Sequence, residues 1–361
     1  MAEPLKACID KVLPVERVVE AADRAMGERP ANAPLRSPRR EVPPPLQPFE
    51  LALETAKEWR PGRVLRVGFL DGDPGVQAKV AEVARAWMQF ANITFEFVDQ
   101  PPADIRISFQ DEGSWSYLGT DALGIAAGQP TMNYGWLTPD SEDEEYQRVV
   151  LHEFGHALAC IHEHQNPDVE IPWDKEAVYR YYANPPNNWS RADVDHNLFE
   201  VYSRDSTQFS EFDRSSIMLY PVPEAHTIGT FSVGWNRQLS QTDKDFITSV
   251  YPAEEKPTAD VQVGGPPVEA SIGAHREEDL FRFSLSDPGA VALETAGPTD
   301  VVVAVYGPDS DTRLVAEDDD SGQGRNARIQ TILMAGRYLV RVRHYSPRGR
   351  GAYQLEVRPA G

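Results

Sequence analysis

His152-Glu-Phe-Gly-His156-Ala-Leu-Ala-Cys160-Ile-His162-Glu-His164 is the stretch from which the rest of the chain is read. His152 and His156 are four residues apart, so on a helix both imidazoles share one face, one turn apart. Both then reach one zinc ion, and Glu153 sits beside the first ligand as a base for a water on that ion. His162 follows His156 by six residues. A continuing helix would carry it away, so the spacing predicts that the helix stops and the chain turns back. Three neutral imidazoles with one position left for water is the donor set of a catalytic zinc site rather than a structural one.

The chain has 361 residues, enough for two or three domains, and 41% of them are hydrophobic, enough for proper cores. With 35 basic and 56 acidic residues the formal charge is −21. No basic stripe stands out, which argues against nucleic acid and against anionic membrane surfaces as partners. No apolar run is long enough to span a bilayer, and Met1-Ala-Glu-Pro-Leu-Lys-Ala-Cys8 lacks the apolar core of a signal peptide. Cys8 and Cys160 give no disulfide framework. A monomer is expected.

Val15, Val18, Val19, Ala22 and Met26 follow helical spacing after Pro14. Residues 28–48, ending in Pro43-Pro44-Pro45, read as an extended linker, and 49–60 as a short helix. Residues 1–61 are therefore an N-terminal helix and tether that could serve as a pro-segment. Cys8 could cap the metal of a latent form, but nothing around it in the sequence supports that. Next come a strand through Val64, Leu65, Val67 and Phe69, an amphipathic helix from Val76 to Phe90, and strands at 93–97, 103–109 and 131–137. Trp115, Tyr117 and Gly119 read as a loop. Ser141 and Glu144 suggest a capping box for the histidine helix, and Glu142 to Glu145 complement its dipole. Later helices are expected over 174–182, from Ser190 towards Tyr202, and from Ser240 to Tyr251. Trp136 and Trp173 read as packing anchors, and His196, His226, His275 and His344 as surface or loop histidines.

From about residue 261 the pattern becomes period two: Phe281/Phe283/Leu285, Val301/Val303/Val305, Tyr338/Val340/Val342 and Tyr353/Leu355/Val357. Gly and Pro turns separate these runs, which predicts an all-β sandwich after a linker at 253–260. Asp318-Asp319-Asp320 could bind Ca2+, though a solvated loop is the favoured reading.

The three histidines fit the metzincin signature H-E-x-x-H-x-x-G-x-x-H. Together with Ser215-Ser-Ile-Met218-Leu-Tyr220, they make residues 62–252 resemble the metzincin metalloproteases, in particular the astacin-like subfamily. The resemblance implies an α+β zincin-like catalytic domain and a zinc metalloendopeptidase acting on protein or peptide substrates. In it His152, His156, His162 and Tyr220 are metal ligands, Glu153 and Tyr220 are catalytic, and Met218 is the floor of a Met-turn. Asp104, Ile105, Arg106, Ile107, Ser108 and Phe109 would be the edge strand that pairs with substrate. Glu163 is the residue that pairs with a buried mature N-terminus in astacins. One position departs: the family's helix-ending glycine is Ala159, where positive φ would strain alanine by about 1–2 kcal/mol. The tail, through Asp279-Leu-Phe-Arg-Phe283, Ala335-Gly-Arg-Tyr338 and Gly351-Ala-Tyr353, resembles the bacterial pre-peptidase C-terminal domain. That resemblance implies an extracellular protein. The competing reading is an inactive metzincin scaffold that binds protein or glycan. Glu153 speaks against it, since a purely structural zinc needs no base there.

Overall fold

The computed structural model describes residues 5–6, 8–9, 11–33, 56–165, 169–185, 187–200, 212–253, 256–274, 276–346 and 349–360. Pro43–Pro45, residues 49–55 of the expected short helix, and Asn166-Pro167 lie outside these residues, as does the stretch from 201 towards Tyr202. Residues 56–60 carry no regular structure. The chain divides into two compact units. The first comprises Met1–Glu28, Lys57–Arg204 and Phe209–Ala253, and the second Arg29–Ala56, Asp205–Gln208 and Glu254–Gly361.

In the first unit, helix α1 (Val18–Glu28) buries Ala21, Ala22 and Ala25, while Val15 is exposed in a short turn before it. Strand β1 (Arg63–Phe69) buries alternate residues Leu65 and Val67. Asp73 then caps α2 (Pro74–Ala84), its side chain accepting from the amides of Gly75 and Val76, with Pro74 in the first turn. Strands β2 (Ile93–Val98), β3 (Ile105–Ser108), β4 (Ser114–Ser116) and β5 (Met132–Tyr134) complete a sheet of order β2-β1-β3-β5-β4. All its pairings are parallel except β4 with β5.

That order corrects the expected substrate strand. Ile107 pairs with Phe69 on one side and Met132 on the other, so Asp104 to Phe109 lies inside the sheet with both hydrogen-bonding edges taken. Ile105, Arg106, Ile107 and Ser108 are all buried. The edges are β2 and β4, and β4 lies in the stretch read as a loop. Three residues are too few for an alternating pattern to be seen.

Helix α3 (Asp143–Ala157) is the central helix, buried on nearly all sides from Tyr146 onward. Phe154 meets Phe95 edge-on at 5.0 Å between ring centres. No side chain caps α3: its N-cap is Glu142, and the Ser141 hydroxyl accepts from the Thr138 amide instead. Helices α4 (Lys175–Tyr182), α5 (Arg191–Val194) and α6 (Gln241–Val250) follow. Asp174 caps α4, and the capping boxes Ser190/Asp193 and Ser240/Asp243 start α5 and α6. His226 is buried rather than superficial, with its ring against Tyr181 and Tyr182.

The second unit holds strands β6 (Ala259–Asp260), β7 (Val268–Ile272), β8 (Glu278–Leu285), β9 (Gly289–Ala296), β10 (Val301–Tyr306), β11 (Leu314–Asp318), β12 (Arg328–Leu333), β13 (Gly336–His344) and β14 (Gly351–Pro359). They form two sheets, β11-β10-β13-β8-β6 and β12-β9-β14-β7, around Phe281, Phe283, Val303, Val340, Tyr353 and Leu355. The period-two runs of the sequence supply this shared core. In the aspartate loop, Asp318 accepts from Ser321 and from the Arg328 amide. Among the described residues, three metal-donor side chains converge only around the histidines of the first unit.

Asp319, within that loop, is buried. Burial, a hydrogen bond with Asp320 and the charges of Asp320, Asp318 and Asp300 push its carboxyl up to about 6. The folded state therefore holds this proton more tightly than the unfolded chain, whose aspartates titrate near about 3.9. Its stabilising effect is full at low pH and is lost as pH rises through about 6. Sandwich stability should fall by roughly 1–2 kcal/mol between pH 4 and pH 7, and Asp319→Asn should flatten that slope. Hydrogen exchange of the β10 and β13 amides reads it.

Candidate metal centre

Arg148, His152 and His156 recur every four residues along α3 and form a buried polar stripe. The helix stops in a Schellman motif: the Ala159 amide bonds the His156 carbonyl and the Cys160 amide bonds the Gly155 carbonyl. Ala159 takes the left-handed conformation, φ 68°. Its methyl lies where a side chain on Gly119 would collide, and Gly119 also packs directly on the Lys57 carbonyl. The Trp59 indole and the Tyr251 hydroxyl bind the carbonyls of Ala157 and Leu158, groups left open by the helix end. The reversal brings His162 back to the other two histidines.

The three Nε2 atoms lie 3.1 Å (His152 to His162), 3.2 Å (His152 to His156) and 3.1 Å (His156 to His162) apart. His152 Nδ1 is 2.8 Å from the Ile217 carbonyl, and His156 Nδ1 is 2.8 Å from the Cys160 carbonyl. A carbonyl only accepts, so each Nδ1 carries the proton and each Nε2 turns a lone pair inward. Burial, and then the neighbouring rings of His156 and His162, hold His152 well below its ordinary pKa, in the neutral form a ligand requires. Two such acceptors with the His162 Nε2 converging on them fit a divalent cation, and an all-imidazole set suits zinc.

The segment from Ser216 to Met218 packs against the histidine helix. Gly155 leaves room for Met218, whose sulfur would lie 2.4 Å from an added Cβ. Asp243 reaches from the first turn of α6 to the Ser216 hydroxyl, 2.6 Å, and the Ile217 amide, 2.8 Å, and so fixes the residue whose carbonyl aims His152.

No protein-family model matches the chain. The structure of myroilysin aligns with it at 51% sequence identity, covering 55% of this chain and 97% of that one, with a TM-score of 0.53. This chain is an astacin-like zinc metalloproteinase. The zinc metalloproteinase nas-36 of Caenorhabditis briggsae is 24% identical over 187 residues, 49% of this chain and 28% of that protein. The chain thus spans little more than a quarter of the curated relative it matches. The pre-peptidase C-terminal domain of a Bacillus anthracis collagenase aligns over 29% of the chain at 13% identity and a TM-score of 0.26, a likeness that decides nothing.

Around the metalloproteinase's histidines, the structure brings together nearly every residue expected there. Glu153 is fully buried next to His152. The Tyr220 ring lies 4.2 Å from His162 and 5.5 Å from His152, centre to centre, and its hydroxyl donates to the Cys8 carbonyl at 2.7 Å. His164 stacks on His162, with Nε2 at the Asn197 carbonyl. Glu163 accepts from the Asp213 amide at 3.0 Å.

Cys8 overturns the sequence reading. Its buried thiol forms a compact group with a His152 nitrogen and a Glu153 oxygen, all within 4.8 Å of one another. Burial, and then the charge of Glu153, raise its pKa well above the ordinary value. The flanking residues cross the unit. The Leu5 amide donates to the Tyr181 hydroxyl, the Ile9 amide donates to the Ser114 carbonyl of β4 at 2.9 Å, and Lys11 bridges Tyr117 in parallel. No spacing rule ties residue 8 to residue 152, so no local signal could have found this contact.

Arg148 also went unread, and Asp243 was expected only to help cap the helix at Ser240, as it does, and not to hold Ser216 and Ile217. Arg148 chelates Glu145 at 2.6 and 2.8 Å and lies over Trp235 at 4.0 Å. Its step of four before His152 is a signal that the sequence does carry.

Two outcomes follow. Asp243→Ala should weaken zinc binding about tenfold in a chelator competition, through loss of the orienting carbonyl's support. Ala159→Gly should raise the unit's stability by about 0.5–1 kcal/mol. The chain's seven tryptophans all precede residue 236, so urea melts followed by tryptophan fluorescence report this unit alone.

Proposed function

We propose that the chain is a zinc endopeptidase whose N-terminal segment keeps it latent. The observation that carries this reading is the set of three converging Nε2 atoms, with the Cys8 thiol beside His152 and Glu153. His152, His156 and His162 would hold the ion. Zinc, when bound there, supplies Lewis acidity and lowers the pKa of a water towards about 7. Glu153 takes the proton of the attacking water and returns it to the leaving amine. Its burial strengthens that exchange by keeping bulk water away. Tyr220, once parted from the Cys8 carbonyl, donates its hydroxyl to the oxyanion, as the family resemblance implies.

The substrate is an extended stretch of protein chain. It adds to the free edge of β4 through its backbone, with side chains falling alternately towards the cleft and away. Cys8, Ile9 and Lys11 lie along that path: the Ile9 amide uses the Ser114 carbonyl, Lys11 bridges Tyr117, and the Cys8 thiol sits beside His152 and Glu153. Action outside the cell is part of this reading. No helix among the described residues is long and apolar enough to cross a membrane.

Glu153→Ala should abolish cleavage of an unfolded protein substrate, a loss of at least about a thousandfold, while one zinc per chain remains by metal analysis. Activity that survives would remove Glu153 as the base. Cys8→Ser, or removal of residues 1–33, should raise activity over the intact chain, and no rise would sink the latency reading. Truncation must stop before Trp59, which is buried in the unit's core and binds the Ala157 carbonyl.

A further inference from the structure

Strand β10, Val301-Val-Val-Ala-Val-Tyr306, is buried along both faces. A sandwich strand normally turns one face to water. Val301, Val303 and Val305 supply the inner core, and Val302, Ala304 and Tyr306 lie on the other side of the sheet. Arg341 of β13 belongs to that outer side, opposite its core neighbours Val340 and Val342. Its guanidinium is buried, and every donor is used. Nε and Nη2 bind Glu278, Nη1 reaches the Tyr306 hydroxyl at 3.2 Å and the Ala33 carbonyl at 3.3 Å, and Nη2 reaches the Ala31 carbonyl at 3.0 Å.

Those two carbonyls belong to the N-terminal segment. Pro30–Asn32 forms one helical turn, closed by the Ala33 amide on the Pro30 carbonyl, and Asn32 and Ala33 are buried. A buried cation is tolerated only when its donors are paired. Arg341 is fully paired only while residues 31–33 are in place.

We propose that the outer face of the sandwich's five-stranded sheet is a docking surface for residues 29–33, so that the C-terminal unit retains the inhibitory segment. This rests on the latency reading above. Residues 5–28 belong to the catalytic unit and residues 29–33 to the sandwich, so the segment is held at two places along one chain. Two linked attachments raise retention well above either alone, because detachment of one leaves its partner at high effective concentration. A single cut downstream of residue 33 then leaves the enzyme inhibited, and the sandwich acts as a brake on activation.

The test places a cleavage site for an added site-specific protease within residues 41–48 of the full chain. After cutting, a fluorophore on the N-terminal fragment reports its dissociation. The unaltered chain should keep its fragment. Ala33→Asp forces a bulkier charged side chain into the buried position of Ala33 and leaves the sandwich sequence unchanged, and Arg341→Met removes the donors. Each should release the fragment at least about tenfold faster. Hydrogen exchange of β13 confirms folding of Arg341→Met, and Ala33→Asp stands as the test if that variant fails to fold. Release at the same rate in Ala33→Asp as in the unaltered chain would overturn the proposal. Removal of residues 1–33 without a rise in activity would instead sink the latency reading, and the fragment-release comparison would still decide the docking.

Discussion

Three imidazole lone pairs facing one another in a buried space repel unless a cation joins them, and the protein must enforce that arrangement before the cation arrives. Enforcement comes from the far side of the rings. Ile217 and Cys160 each offer a backbone carbonyl to an Nδ1–H, which fixes tautomer and tilt together. The Cys160 carbonyl is in place because the helix ends in a left-handed turn at Ala159. The Ile217 carbonyl is in place because Asp243 grips the Ile217 amide and Gly155 lets Met218 slide beneath the helix. A strained alanine is tolerated there because its turn is determined from several sides: the Schellman bonds, the bare Gly119 and the Trp59 and Tyr251 contacts.

Legibility in the sequence followed the range of the interaction. The ligand set depends on spacings of four and six residues and could be read directly, as could the capping boxes at Ser190 and Ser240 and the alternation of the sandwich strands. What escaped depends on contacts distant in sequence. Strand order is one case: 103–109 has the apolar content of a buried strand, and burial on both sides puts it inside the sheet, whereas the short β4 became an edge. Cys8 is another, since 144 residues separate it from His152 and only the fold brings them together. His226 shows a third limit, because its packing on Tyr181 and Tyr182 has no local spacing.

Burial of charge divides the same way in both units. Arg148 with Glu145 and Arg341 with Glu278 are chelated pairs that each also meet an aromatic ring: Trp235 over the first, Tyr306 beside the second. An arginine needs such company when water is removed. Both pairs sit close to the N-terminal segment's path. Lys6 lies within electrostatic reach of Glu145, and Arg341 binds Ala31 and Ala33 directly.

The direction of that segment explains how a peptide can lie against a peptidase and survive. From Ile9 to Lys11 it runs parallel to β4, bonding Ser114 and bridging Tyr117. Antiparallel pairing is the more stable arrangement and would suit an incoming substrate. A chain laid the opposite way presents its carbonyls and amides in reversed order along the cleft. Its Cys8 carbonyl then falls on the Tyr220 hydroxyl, and its Cys8 side chain falls on Glu153. One residue thus occupies the surroundings of both Glu153 and the Tyr220 hydroxyl at once.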